Sequence, residues 1–303
     1  MGPLSGGPDD AAIGRFLEIT ALVPSRSRTF TVPLANVPRY FGLSAELVTQ
    51  MTSLGLPSAV RNGDVYFERS DLVNMSLRLR TGARYRTIRR FWPLALSALE
   101  GKRRIGYNLS YVANCPFPEP HTGCRFRILT PRGQSERSVS AGQSGPIFTS
   151  DLWLSCEWPE LPAIAREVVD IAEHFELTWL PPAIHKDTRF MRKHGLANCL
   201  GMSRILAAEG RHRGLQARSV FGFLTSPPYG SVHYWAEVRI EGRWIPIDPL
   251  MVSTLTNWNI LDSAIWTPYH SLGGILCRLG CIRRPLVMHE GKEVAASFPI
   301  SHL

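Results

Sequence analysis

Gly195-Leu196-Ala197-Asn198-Cys199-Leu200-Gly201-Met202-Ser203 decides how this chain is read. Cys199 opens an apolar run at helical spacing that continues through Met202, Ile205 and Leu206. Gly195 and Asn198 are loop and cap types, and Asn198 as N-cap would put Cys199 in the first helical turn. There the helix dipole and the unpaired backbone N–H groups favour an anion, so a thiol ionises more easily than in free solution. Only the thiolate is a nucleophile, and it needs a base and an orienting group from elsewhere in the chain.

Those partners are found downstream. His233-Tyr-Trp-Ala-Glu-Val-Arg-Ile240 and Arg243-Trp-Ile-Pro-Ile-Asp248 both have strand character. Only Glu241 and Gly242 separate them, a gap that closes a two-residue hairpin. In that register Ile240 faces Arg243, Val238 faces Ile245 and Trp235 faces Asp248. Alternation then puts His233, Trp235 and Asp248 on one face, with His233 and Asp248 as diagonal neighbours. A three-residue turn would separate them, so the pairing makes a demand on the turn. Pro246 adds a second demand, because proline requires an edge or a non-bonded ladder position.

Asn198-Cys199, Gly214-Leu-Gln-Ala-Arg218, His233-Tyr-Trp235-Ala-Glu-Val238, Trp244 and Asp248-Pro249 stand in an order that resembles the transglutaminase-like superfamily of cysteine enzymes. The resemblance implies an α+β, papain-like core with the cysteine helix packed on an antiparallel sheet, and a Cys199–His233–Asp248 catalytic triad. It also implies acyl-enzyme chemistry, with Cys199 attacking an amide or thioester carbonyl and an amine taking the acyl group. A peptidase or amidase that passes the group to water is the alternative within the same fold. The core is placed at residues 160–275 of a catalytic domain spanning 105–303. Trp179, Asn198, Tyr229 and Trp235 are the candidate substrate-binding residues, with Asn198 and Trp179 as candidates for the second oxyanion donor. No acidic loop with calcium-ligand spacing is visible. No cofactor and no metal is expected.

The 303 residues are 44% hydrophobic and 19% charged, an ordinary globular composition. The chain shows no signal-peptide pattern at Met1 and no membrane-length apolar run. The six cysteines, at 115, 124, 156, 199, 277 and 281, show neither disulfide nor zinc spacing, which suits a reducing, cytoplasmic setting. The net charge is +9, and basic residues cluster around the cysteine at Lys186, Arg189, Arg192, Lys193, Arg204, Arg211 and Arg213. Such a field favours an acidic protein or peptide substrate, a carrier protein among them.

Residues 1–32 form an N-terminal extension, Gly- and Pro-rich over 1–10, with one short β-type segment at Phe30-Thr-Val32. Residues 33–80 carry helix signals ending at Gly42 and Gly55, a turn at Asn62-Gly63-Asp64 and a further helix from Ser70. This module resembles excisionase or MerR-type winged helix-turn-helix domains. A DNA-binding regulator is therefore the rival function. The outward face of its second helix, Glu46, Thr49, Gln50 and Ser53, lacks the cations that phosphate contacts need, so a structural or partner-binding role is favoured.

Residues 81–104 read as a basic connecting helix. Strands are expected at Tyr107–Val112 and Cys124–Leu129, and an exposed Ser/Gly-rich loop at 133–145. An amphipathic helix is expected at Pro162–Phe175, with Ile164, Val168, Ile171, Ala172 and Phe175 inward. Thr225–Ser231 reads as a rigid loop and 287–294 as a closing hairpin.

Overall fold

The computed structural model describes residues 10–116, 123–140 and 145–303. Two compact units share the chain: one runs to Arg90 and takes up His174–Gly201, the other comprises Phe91–Glu173 and Met202–Leu303. Secondary structure is mixed helix and antiparallel sheet, as the α+β reading requires. The Gly/Pro-rich stretch 1–10, expected to be loose, lies outside the described residues as far as residue 9.

In the first unit, helix Asp10–Leu22 occupies the N-terminal extension ahead of the β-type segment. Phe16, Ile19, Thr20 and Val23 are all buried, at the three-and-four spacing of a helix face. Helix Val37–Phe41 stops at Gly42, whose φ of 65° admits the left-handed cap. Helix Ala45–Ser53 begins at Ser44, whose hydroxyl accepts the Leu47 N–H. Strands Ser58–Arg61 and Asp64–Phe67 pair across Asn62-Gly63, with Val32–Pro33 on the other side of Asp64–Phe67.

Helix Arg69–Arg78 follows and is tied to the segment that precedes the cysteine. Asn74 donates to the Trp179 carbonyl and accepts the Trp179 N–H, both at 2.8 Å. Arg78 pairs with Glu176 and donates to the Leu177 carbonyl and the Thr178 hydroxyl. Strand Glu176–Leu177 runs parallel to Leu196–Ala197, the two residues ahead of Asn198. Helix Thr188–His194, unmarked in the sequence reading, fills the interval.

Among the described residues, the second unit holds three sheets. The central one orders Arg243–Ile247, Tyr229–Ile240, Ala217–Ser226 and Leu276–Gly280. Pro246 sits on the edge strand, where its missing N–H breaks no ladder bond. The cysteine helix runs Cys199–His212. Its later turns pack on the sheet face of Ala217, Ser219 and Val238: Ser203 Oγ lies 2.7 Å from Ser219 Oγ, and a Cβ at Gly210 would meet Ala217 at 2.7 Å. His233, Trp235 and Glu237 alternate onto the other face.

The remaining sheets centre on Gly123–Thr130 and Arg104–Ala113. Tyr111, Phe223 and Phe298 form an aromatic cluster with ring centroids 4.7–5.9 Å apart. The closing hairpin appears as Val287–His289 and Lys292–Glu293.

Three expectations are corrected here. Over its described part, the expected loop at 133–145 is strand Gly133–Ser140, an edge strand whose two faces are both largely exposed, so no alternation marked it. Thr225–Ser231 is not a loop, because pairing continues to Ser226 opposite Tyr229 with only Pro227-Pro228 as the turn. Helix Ala163–Asp170 buries Ala165, Val168 and Val169, followed by Ala172, while Ile164 is 39% exposed; the inward stripe is rotated from the one expected.

Candidate active site

Asn198 caps the cysteine helix as its sequence position implied: Oδ1 accepts the Gly201 N–H at 2.7 Å. The other end of the same amide donates to the His185 carbonyl at 3.0 Å. Both functions of this side chain are therefore engaged in building the loop-to-helix junction. Cys199 is the first helical residue and is half-buried. Burial pushes the Cys277 thiol up to about 12 and raises that of Cys156, so both are held as thiols at neutral pH.

The hairpin demand is met. Ile240 pairs with Arg243 and Val238 with Ile245, across Glu241 and Gly242 with φ of 50° and 79°. Both positive angles match the two-residue turn whose twist suits flanking strands. That register carries the Asp248 side chain to His233, where Oδ2 lies 2.5 Å from Nε2. The Asp248 and His233 side chains are 5% and 13% exposed, so solvent screens this contact weakly. Nδ1 is then the ring nitrogen that the carboxylate does not engage.

Asp248 has a second task that its position before Pro249 only hinted at. Its Oδ1 accepts the Met251 N–H and caps helix Pro249–Asn257. The carboxylate is thereby fixed in orientation by the helix on one side and by the imidazole on the other.

Trp235 is 1% exposed and stacks on His233 with centroids 6.3 Å apart and planes 18° from parallel. It backs the imidazole and presents little surface to a ligand. Gly222 pairs with His233 in the neighbouring strand; a Cβ there would lie 2.0 Å from the Cys277 carbonyl oxygen and 2.8 Å from the Trp235 ring. Beyond it, Arg218 pairs with Glu237 at 2.6 Å and lies 3.8 Å over the Trp244 ring. Tyr229 is 62% exposed at the hairpin tip. Trp179, in the first unit, is half-buried under Arg84, with its backbone bound to Asn74. A cleft of about 380 Å³ around Leu161, Arg166, Ile240 and Glu241 contains none of the site residues.

Residues 164–249 match the family model of the transglutaminase-like superfamily. The chain carries a transglutaminase-like core. The matched segment holds Asn198, Cys199, the histidine strand and Asp248, and a core of this kind points to thiol-dependent catalysis. The chain is also similar to a solved structure named "Putative Cysteine Protease" from Cytophaga hutchinsonii, at 10% identity and a TM-score of 0.32, over 66% of this chain and 88% of that one. A comparison with curated proteins found no match. Among the described residues, no helix is long and apolar enough to cross a membrane.

Proposed function

We propose that the transglutaminase-like core performs acyl transfer through Cys199, with His233 as base and Asp248 as the group that orients it. The observation that carries this reading is the His233–Asp248 pair, held at 2.5 Å within the family segment that also contains the Asn-capped cysteine. In the proposed step, which requires the first turn of the cysteine helix to present its sulfur to the sheet face that carries His233, the imidazole takes the Cys199 proton and the sulfur bonds to the carbonyl carbon of an amide or thioester. The collapsing intermediate expels an amine or thiol, which leaves with the proton returned by His233. An incoming amine then gives its proton to His233, attacks the thioester and releases Cys199. The Cys199 backbone N–H is the first oxyanion donor in this scheme.

The basic residues support an acidic donor, such as a carrier protein or an acidic peptide. Lys186, Arg189, Arg192 and Lys193 are all exposed on and beside helix Thr188–His194. On helix Ala45–Ser53, by contrast, Glu46, Thr49, Gln50 and Ser53 are exposed and offer no cation to a phosphate backbone.

Incubation of the chain with an acyl thioester on an acidic carrier, followed by intact-mass measurement, tests the proposal. The expected result is a single acyl adduct on Cys199 that disappears in Cys199→Ala and is discharged as an amide by added amine. His233→Asn should flatten the pH dependence of Cys199 alkylation by iodoacetamide. An adduct that persists in Cys199→Ala, or an alkylation profile that His233→Asn leaves unchanged, overturns the reading. Release only as free acid under excess amine would assign water as the acceptor.

A further inference from the structure

Three ligand-type side chains meet in the second unit, apart from the residues discussed above. Cys115 follows strand Arg104–Ala113, Cys124 lies in strand Gly123–Thr130, and His289 ends strand Val287–His289. The latter two strands pair, with His289 opposite Phe126, so His289 and Cys124 project from the same face. The two sulfurs and an imidazole nitrogen all lie within 4.8 Å of one another. Cys124 is 4% exposed and His289 is 1% exposed, while Cys115 is half-buried. Phe126 packs edge-on against the His289 ring at 4.7 Å and sets its plane.

Two sulfurs and an imidazole are a borderline-soft donor set, suited to zinc and unsuited to calcium or magnesium. Tetrahedral zinc with bonds of about 2.0–2.3 Å spaces its ligand atoms by about 3.5–3.8 Å, so the cluster has to tighten by no more than about 1 Å. Two thiolates also balance the charge of a divalent ion, which removes the electrostatic penalty of burying it.

We propose that Cys115, Cys124 and His289 bind one zinc ion, with water as the fourth ligand, and that the ion pins the end of strand Arg104–Ala113 to the paired strands. On binding, each thiol gives up its proton to solvent, two metal–sulfur bonds and one metal–nitrogen bond form, and zinc sheds water. No oxidation takes place. Spacing could not reveal this set, because His289 stands far along the chain from both cysteines and joins them only through strand pairing.

The test uses the full chain, reduced, stripped with a chelator and titrated with zinc chloride or cobalt(II) chloride. One equivalent of zinc should remain after desalting, the melting temperature should rise, and cobalt should give a thiolate-to-metal charge-transfer band. Cys115→Ser, Cys124→Ser and His289→Asn should each abolish stoichiometric retention, while Cys281→Ser, at an exposed position, should keep it. Should Cys124→Ser fail to fold, Cys115→Ser decides the matter from its half-buried position outside the strands. Three results overturn the proposal: no retained zinc in the parent chain, cobalt binding without the thiolate band, or, in the chain as purified and before reduction, an intact mass lower by two hydrogens from a Cys115–Cys124 disulfide.

Discussion

Asp248 grips His233 with one carboxylate oxygen and the start of a helix with the other. The two contacts make separable predictions. Asp248→Asn keeps an oxygen for the Met251 N–H but puts an amide where the imidazole needs a carboxylate. Its acylation rate should fall by roughly two to four orders of magnitude with little change in melting temperature. Asp248→Ala should lose the same activity and, in addition, about 1 kcal/mol of stability from the missing cap. Single-turnover acylation and urea unfolding of both variants check this. Equal stability losses would show that the cap contributes nothing.

Gly222 is required by space rather than by dihedral freedom. Gly222→Ala would push a methyl group into the Cys277 carbonyl and the Trp235 ring that backs His233. A loss of roughly 1–3 kcal/mol is expected from the forced shift, together with reduced activity, because the imidazole loses its backing. Urea unfolding and the acylation rate measure the two effects, and an unaltered midpoint would contradict the packing.

Asn198 acts at the junction that presents Cys199. Asn198→Ala should cost about 1 kcal/mol and fray the first turn of the cysteine helix. Asn198→Asp retains an acceptor for the Gly201 N–H but not the donor to His185, so it should recover much of the stability. Melting temperatures of the two variants separate the two bonds.

Arg28 and Asp71 are a buried ion pair at 2.7 Å, with side chains only 1% and 2% exposed. Burial, only partly offset by Arg28, raises the Asp71 carboxyl from 3.8 to about 6. Between those values the folded chain holds a proton that the unfolded chain has released. Stability from this group is thus fully present below pH ~4 and declines as pH rises to ~6, by about 3 kcal/mol in all. Asn at position 71 does not titrate. The wild-type unfolding free energy should therefore fall more steeply across this window than that of Asp71→Asn, and parallel curves would refute the assignment. Near neutral pH, Asp71→Asn leaves Arg28 buried without its counter-charge and should cost several kcal/mol.

Local rules made several features of this molecule legible from sequence. The Glu241-Gly242 turn fixed a register, and that register predicted the His233–Asp248 contact observed here. Asn198 ahead of a helical run announced its own cap. These depend on neighbours in the chain, on side-chain alternation and on turn geometry, all of which act over a few residues.

Helix Asp10–Leu22 carries a helical periodicity of buried residues. Strand Gly133–Ser140 was not legible, since an exposed edge strand with polar faces carries no hydrophobic signature.

What the sequence by itself determined is therefore the turn, the caps, the cysteine helix and the imidazole–carboxylate pair, because short-range sterics and hydrogen bonding dictate them. Only tertiary structure decided that Trp235 is buried behind His233, that Asn74 and Arg78 hold the segment leading to the cysteine, and that Cys115, Cys124 and His289 converge. Each of these joins residues far apart in the chain, and such contacts arise from how whole faces pack, which no local pattern encodes.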